Sequence, residues 1–424
     1  MDTEPVIVIE NRKELTYLLC QAAEIEHGLM CEYLYAAFSL KRAPGPGLDE
    51  AQLPAVERWR SVLLSVATEE MLHWALINNL LTAVGSAPHV SRPNLPHRGA
   101  GYPADVQLAL LPFGERALRH FVFLERPEGT QLDDAEGFEP IGAALPPMAP
   151  TEVLPRGQEF ATVGHLYRSL EAGLAHLADK YGESRLFIGP PRAQATRSTF
   201  GWPDLVPIGD LPSAIAAIER IVEQGEGARG DSSSAHYGRF VAVLDEYLAV
   251  RAADAGFDPA HPVTAAGVRP VEGVESEVRI TDPVTAAVSD LFDLVYDLVL
   301  QVLVRYFAFG HETDEQLHVL ADSAVGLMLR AIEPLGMLLA TLPVGPEHPG
   351  ATAGANFQLA YRSNFLLPHR RAAWIRFCER LEEAADFSEA IGGPPDARRL
   401  LAAVAEELRG LSARMSTHVE PLPG

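Results

Sequence analysis

Cysteine is nearly missing: three in 424 residues, at positions 20, 31 and 378, with no C-x-x-C pair. An odd, widely spaced trio excludes a disulfide framework and suits a reducing compartment. Basic residues are also few, 34 Lys and Arg against 57 Asp and Glu, for a formal net charge of −23. That balance argues against nucleic acid or an anionic membrane surface as a partner. No apolar run is long and clean enough to cross a bilayer. The best one, LFDLVYDLVLQVLVRYFAF, is interrupted by Asp293, Asp297 and Arg305 and reads as a buried amphipathic helix with the acids on its polar side. The opening MDTEPVIVIENRKEL lacks a basic stretch followed by an apolar one, so no signal peptide is expected and the cytoplasm is the expected location. No glycine-rich phosphate loop follows a strand, no G-x-S-x-G elbow occurs, and nothing repeats or alternates like a sheet. VIVIE at residues 6–10 has strand character but nothing to pair with.

What is present is helix period on a 47% apolar background. Leu15, Leu18, Ala22, Ile25, Leu29, Tyr33, Ala36 and Leu40 predict a helix over residues 11–42, ended by APGPG. Val62, Val66, Ile77 and Leu80 predict a second over 50–84, closed by Gly85. The Pro-rich passage from residue 86 through ERALRHF holds at most a short helix, and residues 126–157 are again rich in Pro and Gly. Further helices are expected over 162–181, from 211 into EQGEGARGDSSS, and again over 235–253. The expected class is all-α: a four-helix bundle over residues 1–253, a linker over 254–280, and a C-terminal helical domain over 281–424 with two long helices before 342 and more helix over 368–417.

Charged residues on the buried stripes carry the chemistry. Glu26 follows Ala22 by four and precedes Leu29 by three, whereas Glu24, His27 and Glu32 fall off the stripe. A lone carboxylate in a bundle core costs several kcal/mol unless a cation accompanies it. On the second helix Glu70 follows Val66 by four and His73 follows Glu70 by three, an E-x-x-H pair in line with Ile77, while Glu69 lies off the stripe toward solvent. E-x-x-H pairs joined by single glutamates from other helices build dinuclear carboxylate sites in helical bundles. The third helix offers Glu171, four after Tyr167 and equally readable as a solvated flank. Around the broken fourth helix, Glu226 follows Val222 by four and His236 precedes Phe240 by four; Glu223 is the reserve ligand, and His236 could instead bond to the loop before it. Cys31 reads as core, and His311, Glu315 and His318 as a solvated face.

The segments EHGLMCEYLYA, EEMLHWALINNLLTAVG, RPNLP, FVFLERPE, VEQGEG and HYGRF together resemble the ferritin-like domain of the iminophenylpyruvate dimer synthase family, over roughly the first 250 residues. The resemblance implies a ferritin-like bundle from secondary metabolism, with two iron ions (or manganese) held by Glu26, Glu70, His73, Glu171, Glu226 and His236 or Glu223. Tyr33 then supports the ligands, and dioxygen and a small organic molecule are the expected partners. Violacein-type synthases are longer chains, so metal-dependent oxidation is the expected activity here rather than coupling of two indole-imine units. The competing readings are a ferroxidase or iron-handling protein and a non-catalytic scaffold; the sequence leaves an oligomer open.

Overall fold

The computed structural model describes residues 6–97, 106–138, 145, 148–149, 151–227, 232–269, 278–308, 311–359 and 369–419. In chain order the first helices are α1 (Arg12–Ser39), α2 (Leu53–Ala83), α3 (Glu115–Leu124), α4 (Val163–Tyr181), α5 (Glu183–Leu186), α6 (Arg197–Phe200), α7 (Leu211–Gly225) and α8 (His236–Ala253). The later ones are α9 (Pro283–Phe307), α10 (Asp314–Leu327), α11 (Glu333–Leu339), α12 (Arg370–Ala390) and α13 (Pro395–Ser416). The chain forms two compact units: Met1–Ala87, Pro96–Gln194 and Trp202–Ala260 in one, Pro88–Leu95, Ala195–Gly201 and His261–Gly424 in the other.

Local chemistry sets the ends of the first unit's helices. Asn11 caps α1, its Oδ1 accepting from the backbone N–H of Lys13 and Glu14 at 3.0 and 3.2 Å. Pro54 stands in the first turn of α2, where its missing N–H costs nothing. Thr162 caps α4, and Asp210 with Ser213 forms a reciprocal capping box on α7. Four helices close a ring: α1 packs on α2, α2 on α7, α7 on α4 and α4 on α1. The pair α3 and α8 adds to this ring, with α8 against α2 and α7.

Helix α1 is enclosed on nearly every side, which corrects the single-stripe expectation. His27 and Glu32 are as buried as Glu26, and only Glu24 among the four charged candidates is half-exposed. His27 stands edge-on to Trp74, with ring centroids 6.3 Å apart. The 106–111 segment lies along α1, where the Ala109 N–H donates to Glu32. The break expected in the fourth helix separates two helices, α7 and α8; residues 228–231 of that stretch lie outside the described residues, as do 98–105 of the long passage before α3 and 270–277 of the expected linker. The short helix expected in that passage is α3, at its end. VIVIE forms no strand; Val8 instead exchanges hydrogen bonds with the Gln158 side chain at 2.8 and 2.9 Å.

In the second unit, Asp282 caps α9 and a Thr313–Gln316 box caps α10. A π-helical turn at Met328–Ile332 joins α10 to α11 where Pro334, lacking an N–H, interrupts the regular ladder. Strands Ala266–Gly267 and Val278–Arg279 pair in parallel. Asp293, expected on a polar face, is buried and accepts from the Gln358 N–H at 3.1 Å. Arg305 is buried too, 2.5 Å from Glu312. Among the described residues no helix is long and apolar enough to cross a membrane.

Candidate metal centre

Two groups of metal-ligating side chains converge inside the first unit: Glu26, Glu70 and His73, and Glu70, Glu125 and His236. All five residues are buried, and the ligand atoms within each group lie within 4.8 Å of one another. Glu70 belongs to both. Its Oε2 stands 2.9 Å from His73 Nδ1, and its Oε1 stands 2.8 Å from His236 Nδ1. Glu26 Oε2 is 3.5 Å from His73 Nδ1, and Glu125 Oε1 is 3.5 Å from His236 Nδ1. The two imidazoles lie nearly parallel, with centroids 5.4 Å apart.

Both histidines turn Nδ1 inward and Nε2 outward. His73 Nε2 meets Gln224 Oε1 at 3.0 Å, and His236 Nε2 meets Glu69 Oε2 at 3.0 Å. An outer partner of this kind orients a ligating imidazole. Glu69, expected in solvent, is therefore half-buried, accepting also from Arg239. Tyrosines hold the other two carboxylates: Tyr33 donates to Glu125 Oε1 at 2.5 Å, and Tyr167 donates to Glu26.

The electrostatics fit a cation. Burial, then the charge of Glu70, pushes Glu26 up to about 8. Burial also pushes Glu70 up, but the charge of the facing His236, the hydrogen bond with Glu26 and the charge of His73 together hold it below the usual carboxylate range. Burial opposes charge on His73, yet Glu70 and Glu26 raise it to about 10. His236 Nδ1 has two carboxylate oxygens within 3.5 Å, from Glu70 and Glu125, without a well-directed hydrogen bond to either. Three carboxylates and two imidazoles without a thiolate suit iron or manganese. The chamber beside them, lined also by Leu29, Val163, Gly164 and Glu226, measures about 20 Å³.

The structure gathers Glu26, Glu70, His73 and His236, with Tyr33 beside them. Glu226 lines the chamber at the C-terminal end of α7, its carboxylate occupying the space that a Cβ on Gly164 would need, 1.7 Å from Oε1. Burial raises its pKa to about 7. Two expected ligands stand elsewhere. Glu171 is half-exposed and in neither group: α4 meets the centre at Tyr167, and one turn further on the helix has risen about 6 Å past it. Glu223 is exposed beside Arg220 at 3.8 Å, because the inward stripe of α7 runs through Ile218, Ile221 and Val222.

Glu125 was absent from the sequence-based ligand set. It caps the C-terminus of α3, four after the buried Phe121 and seven after the buried Leu118, so the apolar stripe of a ten-residue helix runs out onto a carboxylate. That periodicity was available, but the Pro-rich surroundings masked it. Gln224 and Glu69 carry no sequence signal of their own.

This chain belongs to the ferritin-like family, whose profile matches residues 19–245. Among solved structures it is similar to a ferritin-like protein from Caulobacter vibrioides, with a TM-score of 0.50 and 18% identity over 82% of this chain and 99% of that one. Two curated relatives narrow the kinship. Dichlorochromopyrrolate synthase of Lentzea aerocolonigenes is 30% identical over 89% of this chain, and 2-imino-3-(indol-3-yl)propanoate dimerase of Chromobacterium violaceum is 27% identical over 92%. The alignments span 39% and 38% of those relatives, so this chain covers about two fifths of their length. Both relatives are named as enzymes, a synthase and a dimerase. In dinuclear carboxylate bundles, two helices each give a glutamate and two each give E-x-x-H. Here Glu26, Glu125 and Glu70-x-x-His73 keep that pattern, and His236 keeps only half of its pair, with Ser233 where the glutamate would stand.

Proposed function

We propose that the first unit is a dinuclear iron oxidase that uses dioxygen to oxidise a small organic molecule in a biosynthetic route. The observation that carries this reading is Glu70, whose two oxygens face two separate histidine–carboxylate groups as a bridging ligand would. Glu26 and His73 would complete the protein ligands of one ion, Glu125 and His236 those of the other, and Glu226 stands at the chamber as a further carboxylate. Iron held there would relay electrons from the organic substrate to dioxygen. Gln224 and Glu69 keep the imidazoles oriented, and Tyr33 and Tyr167 donate protons in hydrogen bonds to Glu125 and Glu26. Leu29 and Val163 form the apolar side of a chamber of about 20 Å³, room for about one water-sized molecule. The organic substrate is then oxidised from the chamber's mouth. The name of the 2-imino-3-(indol-3-yl)propanoate dimerase points to indolyl imino acids as its class; dimerisation is not carried over.

The test is metal analysis of protein purified from iron-supplemented culture, with dioxygen uptake measured with and without candidate imino acids. About two irons per chain and substrate-dependent uptake are expected. Iron oxidation and storage in the absence of any organic substrate would establish the iron-handling reading instead, and a metal-free protein would leave a scaffold.

Two further outcomes follow. Ligands must lose their protons to bind. The metal-free centre retains protons near neutrality because Glu26 titrates at about 8 and His73 at about 10. Affinity for Fe(II) therefore falls as pH drops, by about tenfold per unit for each proton displaced, measurable by anaerobic titration at two pH values. Tyr33→Phe deletes the bond to Glu125 while keeping the ring against Phe121 and Phe240. It should weaken one of the two ions about tenfold and change unfolding stability by about 1 kcal/mol, read by titration and thermal melting.

A further inference from the structure

A second buried charged cluster lies apart from the five ligands. His120 on α3 is fully buried between two carboxylates. Its Nδ1 meets Asp134 Oδ1 at 2.8 Å and Oδ2 at 3.0 Å, and its Nε2 faces Glu32 Oε2 at 3.8 Å. Phe138 stacks on the imidazole at 3.9 Å. Glu32 Oε1 accepts from the Ala109 N–H, while Glu32 Oε2 and His120 Nε2 have no hydrogen-bond partner. Asp134 also accepts from the Ala135 N–H at 2.6 Å. Asp134 and Glu32 hold His120 protonated against the opposing effect of burial, raising it to about 9.

The placement of this cluster ties it to the metal centre. Glu32 and Tyr33 are neighbours on α1, and His120 and Glu125 share the short helix α3 and its cap. Two polar links therefore join α1 to α3 side by side: Glu32 to His120, and Tyr33 to Glu125. Apolar contacts from Leu118 and Phe121 hold α3 down but are non-directional, so they do not by themselves set its register. A buried charge pair permits one register only, since sliding the helix strands both charges in the core.

We propose that the Glu32–His120–Asp134 cluster is a register lock for α3 that positions Glu125 for the second metal ion. This rests on the dinuclear reading above. His120 is a positioning residue that acts through Glu125, so its loss affects the ion at Glu125 and His236 and spares the one at Glu26 and His73. The 131–138 loop is part of the lock through Asp134, which makes the second site sensitive to a segment at the surface.

The test is anaerobic Fe(II) titration, with helix content measured in parallel, on the wild type, Asp134→Asn, His120→Gln and the double variant Glu32→Gln/His120→Gln. The expected result is two ions in the wild type, with one of them, that at Glu125 and His236, about tenfold to a hundredfold looser in both single variants and the other unchanged. The double variant recovers part of the affinity, because a neutral amide pair replaces the stranded Glu32 charge while Asp134 still lacks its cation. Asp134→Asn decides the matter if His120→Gln does not fold. Equal weakening of both ions would show general loosening and overturn the lock. Unchanged two-ion binding in the single variants would also overturn it, while leaving the dinuclear reading standing. A wild type that binds no iron would instead overturn the dinuclear reading, and the lock with it.

Discussion

Glu70→Ala empties both metal positions at once. Glu70 is 1% exposed and contributes an oxygen to each group, so its removal leaves only Glu26 with His73 and Glu125 with His236. Two protein ligands per ion do not hold iron through dialysis, and the content falls from about two per chain to near zero. Neighbouring carboxylates behave differently. Glu69→Ala removes only the outer partner of His236 and loosens one ion by about tenfold to a hundredfold. Glu171→Ala and Glu223→Ala, on half-exposed and exposed sites, leave iron content unchanged. Metal analysis of the four variants, with circular dichroism to confirm retained helix, reads the whole pattern. Glu70→Ala protein that keeps its iron would rule out a shared ligand.

Gly238→Ala strikes the other end of the centre. A Cβ at this third position of α8 would lie 2.1 Å from the Ser232 carbonyl oxygen and 2.8 Å from Ser233 Cα. These are backbone atoms of the turn that leads into His236, where the Ala235 N–H bonds to Ser232 O at 3.1 Å. No side chain can swing aside, so the turn moves, and His236 begins the helix immediately after it. The expected cost is about 1–3 kcal/mol of stability, with loss of the ion at Glu125 and His236 and retention of the one at Glu26 and His73. Chemical denaturation and iron stoichiometry check both halves. Full iron content at wild-type stability would show that the turn is softer than its packing implies.

The sequence pointed to the candidate centre where its residues sit inside long periodic helices. Glu26, Glu70 and His73 lie on α1 and α2, helices of 28 and 31 residues, and three-and-four spacing alone brings them inward. His236 was legible because Phe240, four residues on, points the same way. Phase failed for Glu171, which shares a face with Tyr167 but not a level: periodicity reports direction around a helix and says nothing about height along a neighbour. It failed differently for Glu32 and His27, since an enclosed helix has no solvent side to which charged residues can be assigned. Glu125 was hidden because its helix is short and flanked by prolines, and its partner Tyr33 is 92 residues away. Gln224 and Glu69 act only through histidines on other helices, a relation that no single helix pattern contains. The helices themselves were readable nearly throughout, because burial of long apolar stripes dominates their formation.

The inward turn of Nδ1 on both His73 and His236 has a consequence for how the helices are tethered. Nδ1 stands two bonds from Cβ and Nε2 three, so an ion held at Nδ1 sits closer to the backbones of α2 and α8. The histidine linkers are short, so an ion bound at Nδ1 would hold the helix carrying each one close. An asparagine carries its amide oxygen at the same bond count as Nδ1, and a glutamine one bond further. At these two positions, asparagine is therefore the nearer stand-in for the reach of the native ligand.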